Sequence, residues 1–121
     1  MCKYEPLNHE EIFQVLRNAP LCILAVAENN QPYAIPMEYQ WRYDDGRLYF
    51  LLQSNKSGKK MHCIERNRKV CLEFQYCDEN TVKTVVAKGR IVSMEEESEG
   101  LVAIEIFATC VSGRAYAKKN I

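Results

Sequence analysis

Apolar and polar positions along the chain fall into blocks of different period. Between Asn8 and Pro20, the apolar residues Ile12, Val15, Leu16 and Ala19 recur at i, i+3, i+4 and i+7, the spacing of one helix face. Asn8 suits the N-cap, Glu10 and Glu11 place negative charge in the first turn, and Pro20 ends the helix. Leu21 to Ala27 is a continuous apolar run of strand length, suited to burial on both faces, and Asn29-Asn30 marks a tight turn. From Tyr33 to Tyr43 the alternation is strict, with Tyr33, Ile35, Met37, Tyr39, Trp41 and Tyr43 facing one way. This predicts one long strand with an edge, a bulge or an interruption at Pro36, which cannot donate to a ladder. Asp44-Asp45-Gly46 predicts a hairpin turn into Leu48–Leu52.

A helix is predicted from about Ser57 to Asn67, then a strand over Val70–Tyr76 and a turn at Asp78-Glu79-Asn80. Thr81 to Met94 is β-branched and long, and Gly89 within it marks a bulge or a sharp bend. The acids from Glu95 to Glu99 predict the positive end of a third helix, with Leu101, Ile104 and Ala108 as its buried side. Residues 111–121 read either as a short strand or as a mobile end. The order is helix, three strands, helix, two long strands, helix. The fold class is therefore strand-dominated α+β, with long antiparallel strands that suit a small barrel without free edges. At 121 residues, with no internal repeat or linker, the chain reads as one domain over 1–121.

Composition narrows the function classes. Hydrophobic residues make up 47% and charged residues 26%, as in an ordinary soluble domain. There is no long apolar run and no signal-peptide core at the N-terminus, so the expectation is a cytoplasmic protein without a membrane partner. Lysine plus arginine balances aspartate plus glutamate at 16 each, which argues against a general nucleic-acid binder. None of the six cysteines has C-x-x-C spacing or a histidine at zinc-ligand spacing. Reduced thiols and no metal site are expected, with Cys2 and Cys110 left as candidates for a redox-sensing thiol.

The neutral balance makes one local concentration of charge informative. From Lys56 to Lys69 there are six basic residues against one acid, Glu65. They lie at a predicted helix start, Ser54-Asn55-Lys56-Ser57-Gly58-Lys59-Lys60, where free backbone N–H groups and the positive dipole end suit a phosphate. Two readings fit: a solvated helix start, and a phosphate cradle. The usual catalytic constellations are missing. The only histidines are His9 and His62, no nucleophile-elbow or P-loop pattern occurs, and Glu38 and Glu73 are the only acids within predicted strands. The aromatic row Tyr33, Tyr39, Trp41 and Tyr43 suits either a core or interface role or the wall of a flat ring system. A barrel with a phosphate cradle but no acid, base or metal set points to a borrowed cofactor.

The ordered set Gln31–Met37, Leu48-Tyr49-Phe50, Gly58-Lys59-Lys60, Asn67–Glu73 and Val86–Arg90 resembles the pyridoxamine 5′-phosphate oxidase-like family. Within that family it is most similar to the nitroimidazole-resistance (Nim-type) flavoproteins. The resemblance covers about Leu21 to Glu96. It implies a split β-barrel, a homodimer with FMN in the cleft between protomers, and electron transfer to a small-molecule acceptor such as a nitro compound, with a nicotinamide as a donor. The alternative it leaves is a dimer that holds flavin or another phosphorylated ligand without turnover. Carried over residue by residue, the resemblance puts Lys59 and Lys60 on the FMN phosphate, and Ser54 and Asn55 at polar positions that reach the cofactor. Pro36 and Met37 lie along the isoalloxazine ring, and Arg90 matches a Gly-Arg position with either a cofactor-binding or a structural role. Many Nim-type members read Tyr-Phe-His-Gly where this chain has Tyr49-Phe50-Leu51-Leu52, so the histidine of that motif is gone and no catalytic residue is assigned. The substrate-binding C-terminal tail of true pyridoxamine phosphate oxidases is also absent, which argues against vitamin B6 oxidation.

Overall fold

The computed structural model describes residues 3–118. Strand β1 (Glu5–Pro6) is followed by helix α1 (His9–Asn18) and strands β2 (Cys22–Glu28), β3 (Gln31–Met37), β4 (Gln40–Asp44) and β5 (Arg47–Asn55). Helix α2 (Lys59–Arg66) then leads to strands β6 (Lys69–Cys77), β7 (Thr81–Glu96) and β8 (Leu101–Ala117). One antiparallel sheet runs in the order β3-β2-β6-β7-β8-β5-β4, with β1 paired to β8.

Ring contacts show how strongly this sheet curls. Phe50 on β5 and Phe74 on β6 are three inter-strand steps apart, about 14 Å in a flat sheet. Their ring centroids lie 5.0 Å apart. The sheet therefore wraps around a core that includes Phe50, Phe74, Leu24, Leu52, Leu72 and Ile104, all almost fully buried. Among the described residues, the edge strands β3 and β4 form no ladder with each other, so the barrel is split along that seam.

The predicted strand from Tyr33 to Tyr43 is in fact these two edges. The chain leaves β3 just after Pro36-Met37 and enters β4 at Gln40. The alternation persists across the break because Tyr39 still points inward. Its ring packs at 4.9 Å on Phe74, and its hydroxyl donates to the Leu16 carbonyl at 2.7 Å and lies 3.0 Å from that of Ala19. These are carbonyls of the α1 end, which a helix cannot satisfy itself. Burial pushes the Tyr39 hydroxyl up to about 12, and the nearby Cys22 thiol adds to this, so it stays protonated and donating.

The predicted third helix does not form. Glu95 and Glu96 complete β7, residues 97–100 turn the chain, and Leu101–Ala117 is a strand. The segment carries both periods, but Val102, Ile104 and Ile106 are the buried positions, and that is period two. Burial between β7 and β5 decides the matter, a non-local term that the helical spacing of Leu101, Ile104 and Ala108 did not contain. The tail is strand as far as Ala117, and residues 119–121 lie outside the described residues, as does Cys2. Gly89 marks a bulge, as expected: the β7–β8 register shifts between Lys88 and Gly89. A Cβ there would sit 2.5 Å from the Phe107 carbonyl oxygen, so only glycine fits this close approach.

No helix among the described residues is long and apolar enough to cross a membrane. Nor is any group of three His, Cys, Asp or Glu side chains among them placed to hold a metal ion.

Candidate functional site

Helix α2 begins two residues later than the sequence pattern suggests, at Lys59, with Gly58 in the N-cap position. Gly58 has φ +121°, a conformation that residues with a Cβ rarely adopt. No side chain caps this helix start, and no acid occupies its first turn. The early N–H groups of a helix have no intrahelical partner. Here Gly58 and Lys59 are exposed, no acid in the first turn offsets the positive dipole end, and the two residues that follow the cap are lysines.

The loop into α2 is fixed by the neighbouring β7–β8 turn. The Lys56 N–H donates to the Gly100 carbonyl at 2.7 Å, the Lys56 ammonium pairs with Glu96, and the Gln53 amide donates to Glu97 at 2.9 Å. The Glu96 carboxylate holds the Lys56 ammonium above its ordinary range. At the other end, Asn67 ties α2 to the sheet by donating to the Ala27 carbonyl at 3.1 Å and accepting from the Lys69 N–H at 3.1 Å. Met61, Cys63 and Ile64 bury the inner face of the helix.

These ties sort the basic residues of the segment. Lys56 is engaged by Glu96, and His62 and Arg66 both approach the same Glu28 oxygen at 3.3 Å. Lys59 and Lys60 have no ion-pair partner among the described residues. The Lys59 ammonium sits 5.3 Å from the centre of the Tyr33 ring on β3, so cation and aromatic face are presented together beside the barrel seam. Nothing in the sequence spacing linked Tyr33 to Lys59.

The other expected site residues divide. Asn55 is exposed where β5 hands over to α2. Ser54 is turned inward, 4% exposed, and its hydroxyl donates to the Asn55 carbonyl at 3.0 Å. Pro36 is exposed on edge strand β3, whereas Met37 is buried in the core. Arg90 stands with Lys69 and Lys88 on the rim of a separate groove, its guanidinium 5.8 Å from the Phe107 ring centre. Leu51, where the Nim-type histidine would be sought, is 40% exposed on β5. Glu38 lies in the link between β3 and β4 rather than within a strand.

The five described cysteines are all free. Burial pushes the Cys22 thiol up to about 11 and raises that of Cys71, opposed there by the nearby Lys88 charge. Neither is an activated thiolate.

A curled antiparallel sheet split along one seam, with an uncapped helix start carrying two lysines beside that seam, defines the class: a small split barrel. The sequence profile described as pyridoxamine 5′-phosphate oxidase matches residues 8–120, and the chain belongs to that family. The fold is shared with a candidate 5-nitroimidazole antibiotic resistance protein from Bacteroides thetaiotaomicron (TM-score 0.83, 14% identity, 97% of this chain and 90% of that one). It is shared too with an FAD-binding protein from Mesorhizobium loti (TM-score 0.75, 24% identity, 93% and 97%) and one from Mycobacterium smegmatis (TM-score 0.74, 17% identity, 94% and 99%). None of the curated proteins matches this sequence.

Proposed function

We propose that this protein is an FMN-binding oxidoreductase that passes electrons from a reduced donor, such as a nicotinamide, to a small organic acceptor such as a nitro compound. The observation that carries this reading is the start of α2: no side-chain cap, no first-turn acid, and Lys59 and Lys60 without ion-pair partners among the described residues. A phosphate monoester fits that donor set, because N–H groups, dipole and ammonium groups all favour a dianion. The FAD named for two relatives of the same fold supports a flavin, and the terminal phosphate favours FMN.

Lys59 and Lys60 hold the phosphate, and Asn55 borders it. Ser54 keeps the strand end in place from beneath, and Pro36 and Met37 shape the β3 edge along which the ring lies. Bound FMN supplies the electron chemistry; the chain's residues bind, orient and screen it. The protein acts as a cytoplasmic homodimer with the cofactor at the interface. The exposed Leu51 and Val92 are apolar area for a second protomer to cover.

A second reading, a flavin-holding dimer without turnover, is favoured by one observation: Leu51-Leu52 offers no proton carrier where the Nim-type histidine is expected. One experiment separates the two. The full chain is purified without added cofactor, its visible spectrum is recorded, and the small molecule released on denaturation is identified. FMN near one per chain, reduced by a nicotinamide and reoxidised by a nitroaromatic, is the expected result. Bound FMN that does not turn over selects the second reading. A colourless protein that also refuses added FMN overturns both.

A further inference from the structure

A second cationic feature lies on the outer face of β2, β6 and β7, away from the start of α2. It is an open groove of about 650 Å³, within the size range of small-molecule sites. Its floor includes Ala25, Ala27 and Cys71, and its rim carries Lys69, Lys88 and Arg90. Neither Lys59 nor Lys60 lines it, and no aspartate or glutamate does.

The groove is built rather than incidental. The β7–β8 register shifts at Lys88/Gly89 beneath it, and the Thr109 hydroxyl holds this bulge by donating to the Lys88 carbonyl at 3.1 Å. Asn67 pins one end by bonding both β2 and the start of β6.

The rim also carries an electrostatic cost. Lys69 lies directly opposite Arg90 in the β6–β7 ladder, and Lys88 follows two residues from Arg90 on the same face. Like charges directly opposite each other destabilise a sheet. None of the three has an ion-pair partner among the described residues. Three cations without an ion-pair partner among the described residues, around a small-residue floor, are complementary to an oxyanion attached to a flat apolar body.

We infer that this groove is a second ligand site, distinct from the phosphate cradle, which takes small organic anions with one or two carboxylates on an apolar ring. The anion relieves the Lys69–Arg90 repulsion, and the ring covers Ala25, Ala27 and Cys71. The inference does not depend on flavin binding.

The test uses phthalate, a ring dicarboxylate, titrated into the purified full-length protein and followed by calorimetry and by thermal unfolding. Saturable binding is expected, with Tm raised by about 10 °C at a hundredfold excess over Kd. Lys69→Gln and Lys88→Gln should each weaken phthalate about tenfold to a hundredfold. Lys69→Gln should also leave the ligand-free Tm equal or raise it by about 1–4 °C, because it removes the opposed charges. The Lys59→Ala/Lys60→Ala protein should keep the full phthalate response, and dimethyl phthalate should give none. Absence of saturable binding overturns the inference. So does a response that survives Lys69→Gln/Lys88→Gln, or one matched by sulfate at equal ionic strength. If Lys69→Gln/Lys88→Gln instead changes the sedimentation mass, the groove is covered by a second copy of the chain and the inference also fails.

Discussion

The two helices of this protein begin in opposite ways. At α1, the Asn8 side chain accepts from the Glu11 N–H at 2.9 Å, and the Glu11 carboxylate accepts from the Asn8 N–H at 3.1 Å. With Glu10 beside them, the orphan donors and the dipole are satisfied from within the chain. At α2, a glycine with no side chain stands where Asn8 stands in α1, and lysines follow where acids follow in α1. By the dipole argument those lysines are unfavourable for the helix itself. A helix start that lacks its own cap and carries two lysines leaves room for an anion from outside the chain. The first start serves folding; in the proposed function the second serves binding.

Breaking this contrast at α2 gives the largest effect. Lys60→Ala should weaken FMN by about tenfold to a hundredfold, from loss of a charge-assisted contact of about 1.5–3 kcal/mol. The stability of the ligand-free protein should change by less than about 0.5 kcal/mol. Fluorescence titration with FMN and a denaturant melt read the two quantities separately.

The converse substitution at α1 comes next. Asn8→Ala removes the cap and should cost about 1 kcal/mol of stability, while FMN affinity stays within twofold of wild type. A loss of flavin affinity there would mean that the two helix starts are not independent. Reversing one charge sharpens the contrast further. Lys60→Glu places an acid in the first turn of α2 and should stabilise the ligand-free protein by about 0.3–1 kcal/mol, while abolishing FMN retention. A variant whose stability and binding move in the same direction would contradict the reading of α2.

The smallest effect comes from a second self-satisfied feature, the turn between β6 and β7. The Asp78 carboxylate accepts from the Asn80 and Thr81 N–H groups at 3.1 and 2.8 Å, and these bonds hold it below its ordinary value of 3.8. A depressed acid stabilises the fold above its unfolded-state value, and that contribution disappears as pH falls through the folded-state value. The Tm gap between wild type and Asp78→Ala should therefore be present at neutral pH and close well below pH 3.8. A gap that widens on acidification would refute the assignment of these hydrogen bonds.

What was legible in the sequence follows from how local each feature is. Helix α1, the Asp44-Asp45-Gly46 turn and the Lys59-Lys60 pair are each written within a dozen residues, and all three are found where the pattern puts them. Strand β8 also carries a helical period because the two patterns meet at Ile104, and only its partners β7 and β5 choose between them. The Tyr33–Tyr43 run is continuous in pattern but divided in space, since its two halves form opposite edges of the curled sheet. The Lys59–Tyr33 contact and the Lys69–Lys88–Arg90 groove depend on strand register across distant segments. No window of the sequence holds that information.

In the proposed function the start of α2 binds the phosphate of a flavin. FMN and riboflavin share the ring and the ribityl chain and differ by that phosphate alone. Their affinities, measured side by side for wild type and for Lys59→Ala/Lys60→Ala, isolate it. Wild type is expected to prefer FMN by tenfold or more, and the preference to collapse in the double variant while riboflavin affinity holds. An undiminished preference in the double variant, or no preference in wild type, would show that the phosphate is held elsewhere or not at all.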